Sequence, residues 1–97
     1  MFARVTTSQG KPGQIEAGIN QFRESVGAVA KTIAGFKGSY LLVDRKSGKM
    51  LGIALWDTQE NLRASETAAA KIRAGIAQAV ASTAPPIVEI YEVAAQF

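Results

Sequence analysis

"FKGSYLLVDRKSGKMLGIALWD", residues 36–57, is the stretch that decides the fold of this chain. Apolar residues alternate on both sides of RKSG, and a period of two residues is typical of β-strands. Gly48 ends RKSG and can adopt the positive φ that a hairpin with a bulge requires. The stretch therefore predicts two antiparallel strands joined by a tight turn.

The segment before this hairpin predicts a strand and then a helix. Residues 2–7 are rich in β-forming residues, and SQGKPGQ after them is typical of a turn. Apolar residues then recur every three or four positions, which indicates one helix face packed on a core. These residues are Ile15, Ile19, Phe22, Val26, Ala30 and Ile33, and Gly35 is expected to end the helix.

The segment after the hairpin repeats the same order. Asp57 is expected to cap a second helix, and Glu60, three residues later, is expected to complete a capping box with it. The prolines of STAPP end that helix, and IVEIYEV predicts a last strand. The inward stripe of the second helix is expected to consist of Leu62, Ser65, Ala69, Ile72, Ile76 and Val80. The small residues on this helix either let it approach the sheet closely, which interior packing density favours, or leave room for a ligand.

The element order βαββαβ predicts a ferredoxin-like α+β fold, a four-stranded antiparallel sheet with two helices on one face. The chain of 97 residues is expected to form one domain over residues 1–97. The two middle strands are apolar on both faces. In the first of them, Phe36, Tyr40 and Leu42 are expected on one face, and Leu41 and Val43 on the other. A monomer would expose one apolar face, so we expect a homodimer through the open sheet face, a dimeric α+β barrel.

Composition excludes several classes of function. The chain contains no cysteine and no histidine, which excludes a Ser-His-Asp triad, a histidine zinc site and a histidine-ligated haem. The net charge of +3 is spread along the chain, so we expect no nucleic-acid partner. No apolar run has the length of a membrane span or the character of a signal peptide, so we expect no membrane partner and a cytoplasmic protein.

The end of the third predicted strand carries a resemblance to a known family. Trp56 is an aromatic residue at the strand end, and Thr58 and Glu60 form a Ser/Thr-x-Glu helix start. In this arrangement the chain resembles the dimeric α+β-barrel proteins related to antibiotic biosynthesis monooxygenases and haem-degrading monooxygenases. Ser65 occupies the position of a frequent histidine of that family, nine residues after the tryptophan. Serine does not ligate haem iron as imidazole does, which disfavours a haem-degrading activity.

The resemblance implies a ligand site between the sheet and its helices. Some members of the family oxidise phenolic polycyclic substrates with molecular oxygen and without a cofactor, because the deprotonated substrate itself reduces oxygen. We therefore expect no cofactor and no metal here, and a small apolar or aromatic ligand. A non-catalytic dimeric module that binds a small molecule, or a dimeric scaffold, is the alternative interpretation.

Six residues are candidates for substrate binding: Trp56, Ser65, Tyr40, Asn20, Arg23 and Asn61. Trp56 can stack on a flat ligand or pack in the core. The Ser65 hydroxyl can point into a cavity or bond to the carbonyl of Asn61. Asn20 and Arg23 flank the inward stripe of the first helix and can reach a polar ligand group. The alternative for Arg23 is a solvated side chain that pairs with Glu16, for Tyr40 packing at the interface, and for Asn61 helix-start hydrogen bonds. Residues that would act as catalysts are not identified by the pattern.

Overall fold

A computed structural model describes residues 1–30 and 32–97 of the chain. Within these residues, four strands and three α-helices follow one another in the order β-α-β-β-α-α-β, and a short 3₁₀ turn over Pro12–Gln14 precedes the first helix. The strands are β1 (Phe2–Gln9), β2 (Phe36–Val43), β3 (Lys49–Trp56) and β4 (Ile87–Glu92). The helices are α1 (Ile15–Val29), α2 (Gln59–Ala64) and α3 (Glu66–Ala79). This arrangement confirms the ferredoxin-like α+β fold.

All neighbouring strands of the sheet are antiparallel, in the order β2-β3-β1-β4. Direct cross-strand partners share a face of the sheet, so the register assigns each residue to the helix side or to the open side. Arg4 pairs with Ala54 on β3 and with Ile90 on β4, and this row lies on the helix side. The next row, Val5 with Ile53 and Glu89, lies on the open side.

The hairpin forms as the sequence predicts. Gly48 has a φ of +80°, and its N–H donates to the Asp44 carbonyl at 2.9 Å, which closes the turn. One face assignment is wrong, because the β2–β3 register shifts between Phe36 and Gly38. This irregularity moves Phe36 to the helix side, where it pairs with Trp56, while Tyr40 and Leu42 remain on the open side.

The second predicted helix is interrupted at Ser65 and becomes two helices. Its N-cap is Thr58 rather than Asp57: the Thr58 hydroxyl accepts from the backbone N–H of Asn61 at 3.1 Å. The Asp57 carboxylate instead accepts from the Thr58 N–H at 2.7 Å, one residue outside the cap. The predicted capping box with Glu60 is therefore replaced by a threonine cap.

A compact apolar cluster joins the helices to the sheet. Ile15, Met50 and Val80 are fully buried and contact one another across α1, β3 and the end of α3. Gly18 lies over this cluster, and a Cβ atom built there would overlap Val80 and come within 3.0 Å of Met50 Cε. The missing side chain at Gly18 therefore allows α1 to lie close to the sheet at this end of the domain.

Candidate functional site

The central cavity lies between the sheet and helices α1 and α3, beyond the compact cluster. Its volume is about 100 Å³, and it is partly open to the surface. Small residues on the helix side of the sheet form its floor: Thr6, Ser39, Gly52 and Ala54. The alanines of α3, Ala68 and Ala69, also line the cavity. The small residues therefore leave room for a ligand instead of closing the gap between helix and sheet.

The opposite wall of the cavity is apolar and comes from α1 and the segment after it. Its members are Phe22, Val26, Val29, Ala30 and Ile33. These residues include most of the stripe that the three- and four-residue period predicts, so the stripe lines the cavity as well as the core. An apolar wall of this kind excludes water and strengthens any electrostatic interaction made inside it.

Arg4 is the polar centre of the site, and it projects from the middle of β1 into the interior. Its side chain is only 4% exposed. One terminal nitrogen, Nη2, donates to the Leu62 carbonyl at 2.7 Å and to the Ser65 hydroxyl at 3.1 Å. The Ser65 hydroxyl in turn donates to the Leu62 carbonyl at 2.6 Å. A main-chain carbonyl and a buried hydroxyl therefore fix the guanidinium beside the break between α2 and α3.

Glu66 holds two cations at the edge of the cavity. Its Oε2 lies 3.1 Å from Arg4 Nη2, and its Oε1 pairs with Arg73 Nη2. The hydrogen bond from Arg73 lowers the pKa of Glu66, and the charges of Arg73 and Arg4 lower it further, against a smaller opposing effect of burial. Burial lowers the pKa of Arg4, while Glu66 opposes this effect. Arginine nevertheless remains protonated at any physiological pH, so Arg4 is a permanent buried cation.

Trp56 closes one end of the cavity at the end of β3. Its side chain is 3% exposed, and its ring lies edge-on to Phe36 with centroids 5.3 Å apart. The irregularity in β2 makes this contact possible, since it turns Phe36 toward the helices. Trp56 therefore lines the cavity through a ring that Phe36 holds in place.

Three buried N–H donors of the site find no acceptor among the described residues: Arg4 Nε, Trp56 Nε1 and Arg73 Nη1. All three belong to side chains that line the central cavity. An unsatisfied buried donor typically costs about 1–3 kcal/mol, so proteins rarely retain several of them together without a use. The three nitrogens belong to side chains of the cavity wall but have almost no accessible surface, so a ligand oxygen reaches them only when neighbouring side chains move.

The structure brings two of the six sequence candidates to the cavity, Trp56 and Ser65. Ser65 also makes a local hydrogen bond of the kind expected for it, although the acceptor is the Leu62 carbonyl and not that of Asn61. Tyr40 does not belong to the cavity. It lies on the open side of the sheet, 58% exposed, because its position alternates with the helix-side Ser39 and Leu41.

The remaining three candidates lie outside the cavity lining. Asn20 and Arg23 are exposed on α1, and Glu16, the ion partner expected for Arg23, instead pairs with Arg45. Asn61 makes the predicted helix-start contacts: its side chain donates to Asp57 at 2.9 Å. That hydrogen bond is the main reason why the pKa of Asp57 is lowered.

Sequence reasoning missed the two arginines of the site. Arg4 shares a strand face with Phe2 and Thr6, and a charged residue in the middle of a short strand was the available signal. Arg73 follows Glu66 by seven residues, a spacing that puts both on one face of α3. Neither signal distinguishes a buried arginine from a solvated one. The burial of Arg4 depends on the packing of α2 over β1, and that of Arg73 on the packing of α3 beside α1; both are tertiary properties.

The described residues contain no group of three or more acidic side chains that could hold a metal ion, in a chain that has no histidine or cysteine. Within residues 1–30 and 32–97, no helix has both the length and the apolar character needed to cross a membrane. The polar chemistry of the site therefore comes from guanidinium, indole, carboxylate and hydroxyl groups.

Comparisons with known proteins identify relatives in sequence and in fold. Two uncharacterised proteins of Mycobacterium tuberculosis are similar in sequence: one is 38% identical over 73 residues, which is 75% of this chain and 31% of that protein. The other is 36% identical over 95 residues, which is 98% of this chain and 42% of that protein. The chain thus spans about a third to two fifths of the length of these curated relatives.

A monooxygenase from the gene ActVA-Orf6 of Streptomyces coelicolor, in complex with nanaomycin D, has the same fold. It superposes with a TM-score of 0.81 at 14% identity, and the match covers 99% of this chain and 89% of that chain. A family model described as antibiotic biosynthesis monooxygenase matches residues 1–82. Since this match covers most of the sequence, the chain belongs to the antibiotic biosynthesis monooxygenase family.

Proposed function

We propose that the chain binds a small aromatic molecule in the central cavity and oxidises it with molecular oxygen, without a metal or an organic cofactor. The observation that carries this proposal is the set of three buried N–H donors without an acceptor, on Arg4, Trp56 and Arg73, at the wall of an otherwise apolar cavity. The family of the chain supports the reaction class. The neighbour of the same fold that was crystallised with nanaomycin D supports binding within this fold.

The reaction that suits such a site draws all its electrons from the substrate. A phenol or enol loses a proton, and the resulting anion transfers electrons to O₂. For a substrate with a reactive CH₂ group beside the aromatic ring, the balanced change is CH₂ + O₂ → C=O + H₂O. One oxygen atom forms the new carbonyl, and the other leaves as water with both hydrogens. No external reductant is required.

The contribution of this chain is to stabilise the deprotonated substrate and to enclose it. Guanidinium and indole N–H groups that come against a developing oxyanion stabilise it, and an apolar surrounding strengthens their effect. The side chains that line the cavity within the described residues offer arginines and hydroxyls but no carboxylate. The proton of the substrate is therefore expected to pass to solvent, with the guanidinium charges lowering the pKa of the bound phenol.

The size of the cavity limits the ligand. A void of about 150 Å³ in another protein holds benzene, so a volume of about 100 Å³ encloses only part of one aromatic ring in the structure as it stands. Because the cavity is partly open, a second or third ring can extend through its mouth. Flat phenols of one to three rings are the expected substrate class.

Fluorescence and oxygen uptake test the proposal directly. Trp56 is the single tryptophan of the chain, so its emission reports on the cavity wall without a label. We expect saturable quenching by dihydroxynaphthalenes or hydroxyanthrones beyond the inner-filter control, and oxygen consumption above the rate of autoxidation. Quenching with no added oxygen uptake would contradict catalysis and leave binding, and the absence of both would contradict the whole proposal.

A matched pair of variants assigns the effect to the cavity. Trp56→Phe removes the indole N–H and is expected to lower turnover of a phenolic substrate while the protein stays folded. Tyr40→Phe removes a polar group from an aromatic residue on the opposite side of the sheet and is expected to leave turnover unchanged. Equal turnover in wild type and Trp56→Phe would remove Trp56 from the mechanism.

Binding without catalysis is the second candidate function, and one observation favours it. The ionisable side chains that line the cavity, among the described residues, are two arginines, which bind anions but accept no proton at neutral pH. A module that only sequesters an aromatic molecule needs such cations but no group that accepts a proton. The oxygen-uptake arm of the experiment separates the two functions.

We further propose that the chain forms a homodimer through the open side of its sheet. Large apolar residues of this side are more than half exposed: Tyr40, Leu42, Ile87 and Tyr91. The register places them in rows with Ile53, Leu51, Thr7 and Ala3, so apolar residues of all four strands share this side, interrupted on β4 by Glu89. An apolar surface of this extent is typical of an interface, and a second copy with the same surface matches it.

A further inference from the structure

We infer that Gly52 and Phe22 set the size of the aromatic ligand that the central cavity accepts. Gly52 leaves a notch in the floor of the cavity, and the ring of Phe22 reaches this notch from α1. The inference rests on the proposed function, since it requires that the cavity hold an aromatic ligand. It goes further by naming the two residues that decide how large the ligand can be.

Gly52 lies in the middle of β3, between two larger side chains on the helix side of the sheet. Its cross-strand partners are Leu41 on β2 and Thr6 on β1, and both line the cavity. Direct partners share a face of the sheet, so the missing side chain at Gly52 lowers the floor between them. The notch is therefore one residue wide and faces the helices.

Neither the backbone nor the packing requires glycine at this position. Gly52 has no positive φ, and among the described residues only one atom, Phe22 Cε2, would lie within 4 Å of a Cβ built there, at 4.0 Å. At Gly18, by contrast, a Cβ would overlap Val80. Glycine inside a strand weakens the strand, and one use for it is the close approach of a ligand. The notch therefore has the character of space kept for a ligand.

The cavity is long in the direction of β3 but narrow. Its lining includes every helix-side residue from Met50 to Trp56, and six residues of strand span about 20 Å. Its volume of about 100 Å³ is nevertheless smaller than the void of about 150 Å³ that holds benzene. A whole ring therefore enters only when a side chain of the wall moves away from the floor.

Phe22 is the wall residue that is placed to move. It is the largest side chain of the α1 wall, it is half-buried, and the edge of its ring is what comes near Gly52. Met50, at the closed end of the cavity, is fully buried and packs against Gly18. A half-buried ring can turn toward the mouth of the cavity, whereas a fully buried side chain has no space to enter. The position of the Phe22 ring therefore sets the room over Gly52.

This arrangement discriminates between one ring and two fused rings. A single ring can shift along β3 toward Trp56 and leave the notch, whereas two fused rings need the space over Gly52 as well. Removal of the Phe22 ring therefore favours the larger ligand, and a methyl group added at Gly52 disfavours it. Because both ligands share any general loss of contacts, the ratio of their affinities reports on size alone.

Calorimetry with 4-methylphenol and 2-naphthol measures this ratio, since the two phenols differ in ring number and not in charge at neutral pH. Phe22→Ala is expected to raise the preference for 2-naphthol roughly tenfold, because about 50 Å² of additional buried apolar surface corresponds to that factor. Gly52→Ala is expected to lower the preference about threefold or more, because its methyl group occupies the notch.

Gly27→Ala is the matched control for the change at Gly52. A Cβ at Gly27 would meet nothing within 4 Å, and the residue is exposed on α1 and does not line the cavity. A surface substitution of this kind should leave the preference for 2-naphthol within about twofold of wild type.

Gly52→Ala decides the question even if Phe22→Ala does not fold, because alanine suits both the φ and the neighbours of this position. If both phenols bind and Gly52→Ala keeps the preference within about twofold of wild type, the inference is overturned and the proposed function stands. An unchanged preference in folded Phe22→Ala would overturn the inference as well. Failure of the folded wild type to bind either phenol would overturn the inference and the proposed function together.

Discussion

Two glycines of α1 allow a sharp test of how this helix is placed over the sheet. Gly18 and Gly27 lie on the same helix, and alanine at either position favours helix formation by about 1 kcal/mol relative to glycine. Their surroundings differ. A Cβ at Gly18 would overlap Val80 and approach Met50 Cε to 3.0 Å, whereas a Cβ at Gly27 would meet nothing within 4 Å.

The magnitude of each change follows from these contacts. Val80 and Met50 are fully buried, so neither can move aside into solvent, and inserting a methyl group into such a core costs about 1–3 kcal/mol. The gain in helix preference offsets part of this cost. Gly18→Ala is therefore expected to lower the free energy of unfolding by up to about 2 kcal/mol, while Gly27→Ala raises it by about 0.5–1 kcal/mol.

Thermal unfolding and urea titration of the two variants measure the difference. For a domain of this size, about 1 kcal/mol corresponds to about 4–8 °C in Tm, so the two variants are expected to differ by about 10 °C. The order of the two Tm values is the decisive result. If Gly18→Ala were as stable as Gly27→Ala, α1 would not lie against Val80 and Met50 as described, and the wall of the central cavity would need to be placed elsewhere.

Three further predictions follow from the site and the open side of the sheet. Ser65→Ala removes a hydrogen-bond partner of Arg4 and is expected to lower the free energy of unfolding by about 1–2 kcal/mol in urea titration; an unchanged value would mean that the buried hydroxyl is not needed. The lowered pKa of Glu66 means that its carboxylate stabilises the fold above about pH 4.5, and that this stability is lost as the pH falls through the lowered pKa. Glu66→Gln should therefore lose less stability than wild type between about pH 5 and about pH 3, and parallel curves would contradict this. Leu42→Lys places a charge on the open side and is expected to turn the proposed dimer into a monomer in light scattering; an unaffected dimer would move the interface elsewhere.

The fold was predictable from the sequence because its signals are local. The alternation on both sides of RKSG, the positive φ of Gly48 and the helical period from Ile15 onward each depend on residues close in the chain. The misplaced features are those that tertiary contacts decide. The register shift before Gly38 turns Phe36 toward Trp56, and the sequence has no local sign of it beyond a glycine in a strand.

The site was predictable only in part, for the same reason. Trp56 and Ser65 could be placed by strand alternation and helical period, which assign them to the inward side. Arg4 could not, because a strand residue of its type is usually solvated, and only the packing of α2 and α3 over β1 buries it. Tyr40 was expected at the cavity but lies on the open side, because an aromatic residue of an apolar strand packs equally well on either face of the sheet.

The break between α2 and α3 has a consequence for how this domain can diversify. At Ser65 the helix is interrupted, and the Leu62 carbonyl accepts from both Arg4 and the Ser65 hydroxyl. Because a main-chain atom anchors the buried cation, substitutions among the apolar side chains of α1 can reshape the opposite wall without moving it. Duplicated genes could thus acquire new ligand shapes one wall residue at a time, each inheriting the same anchored charge.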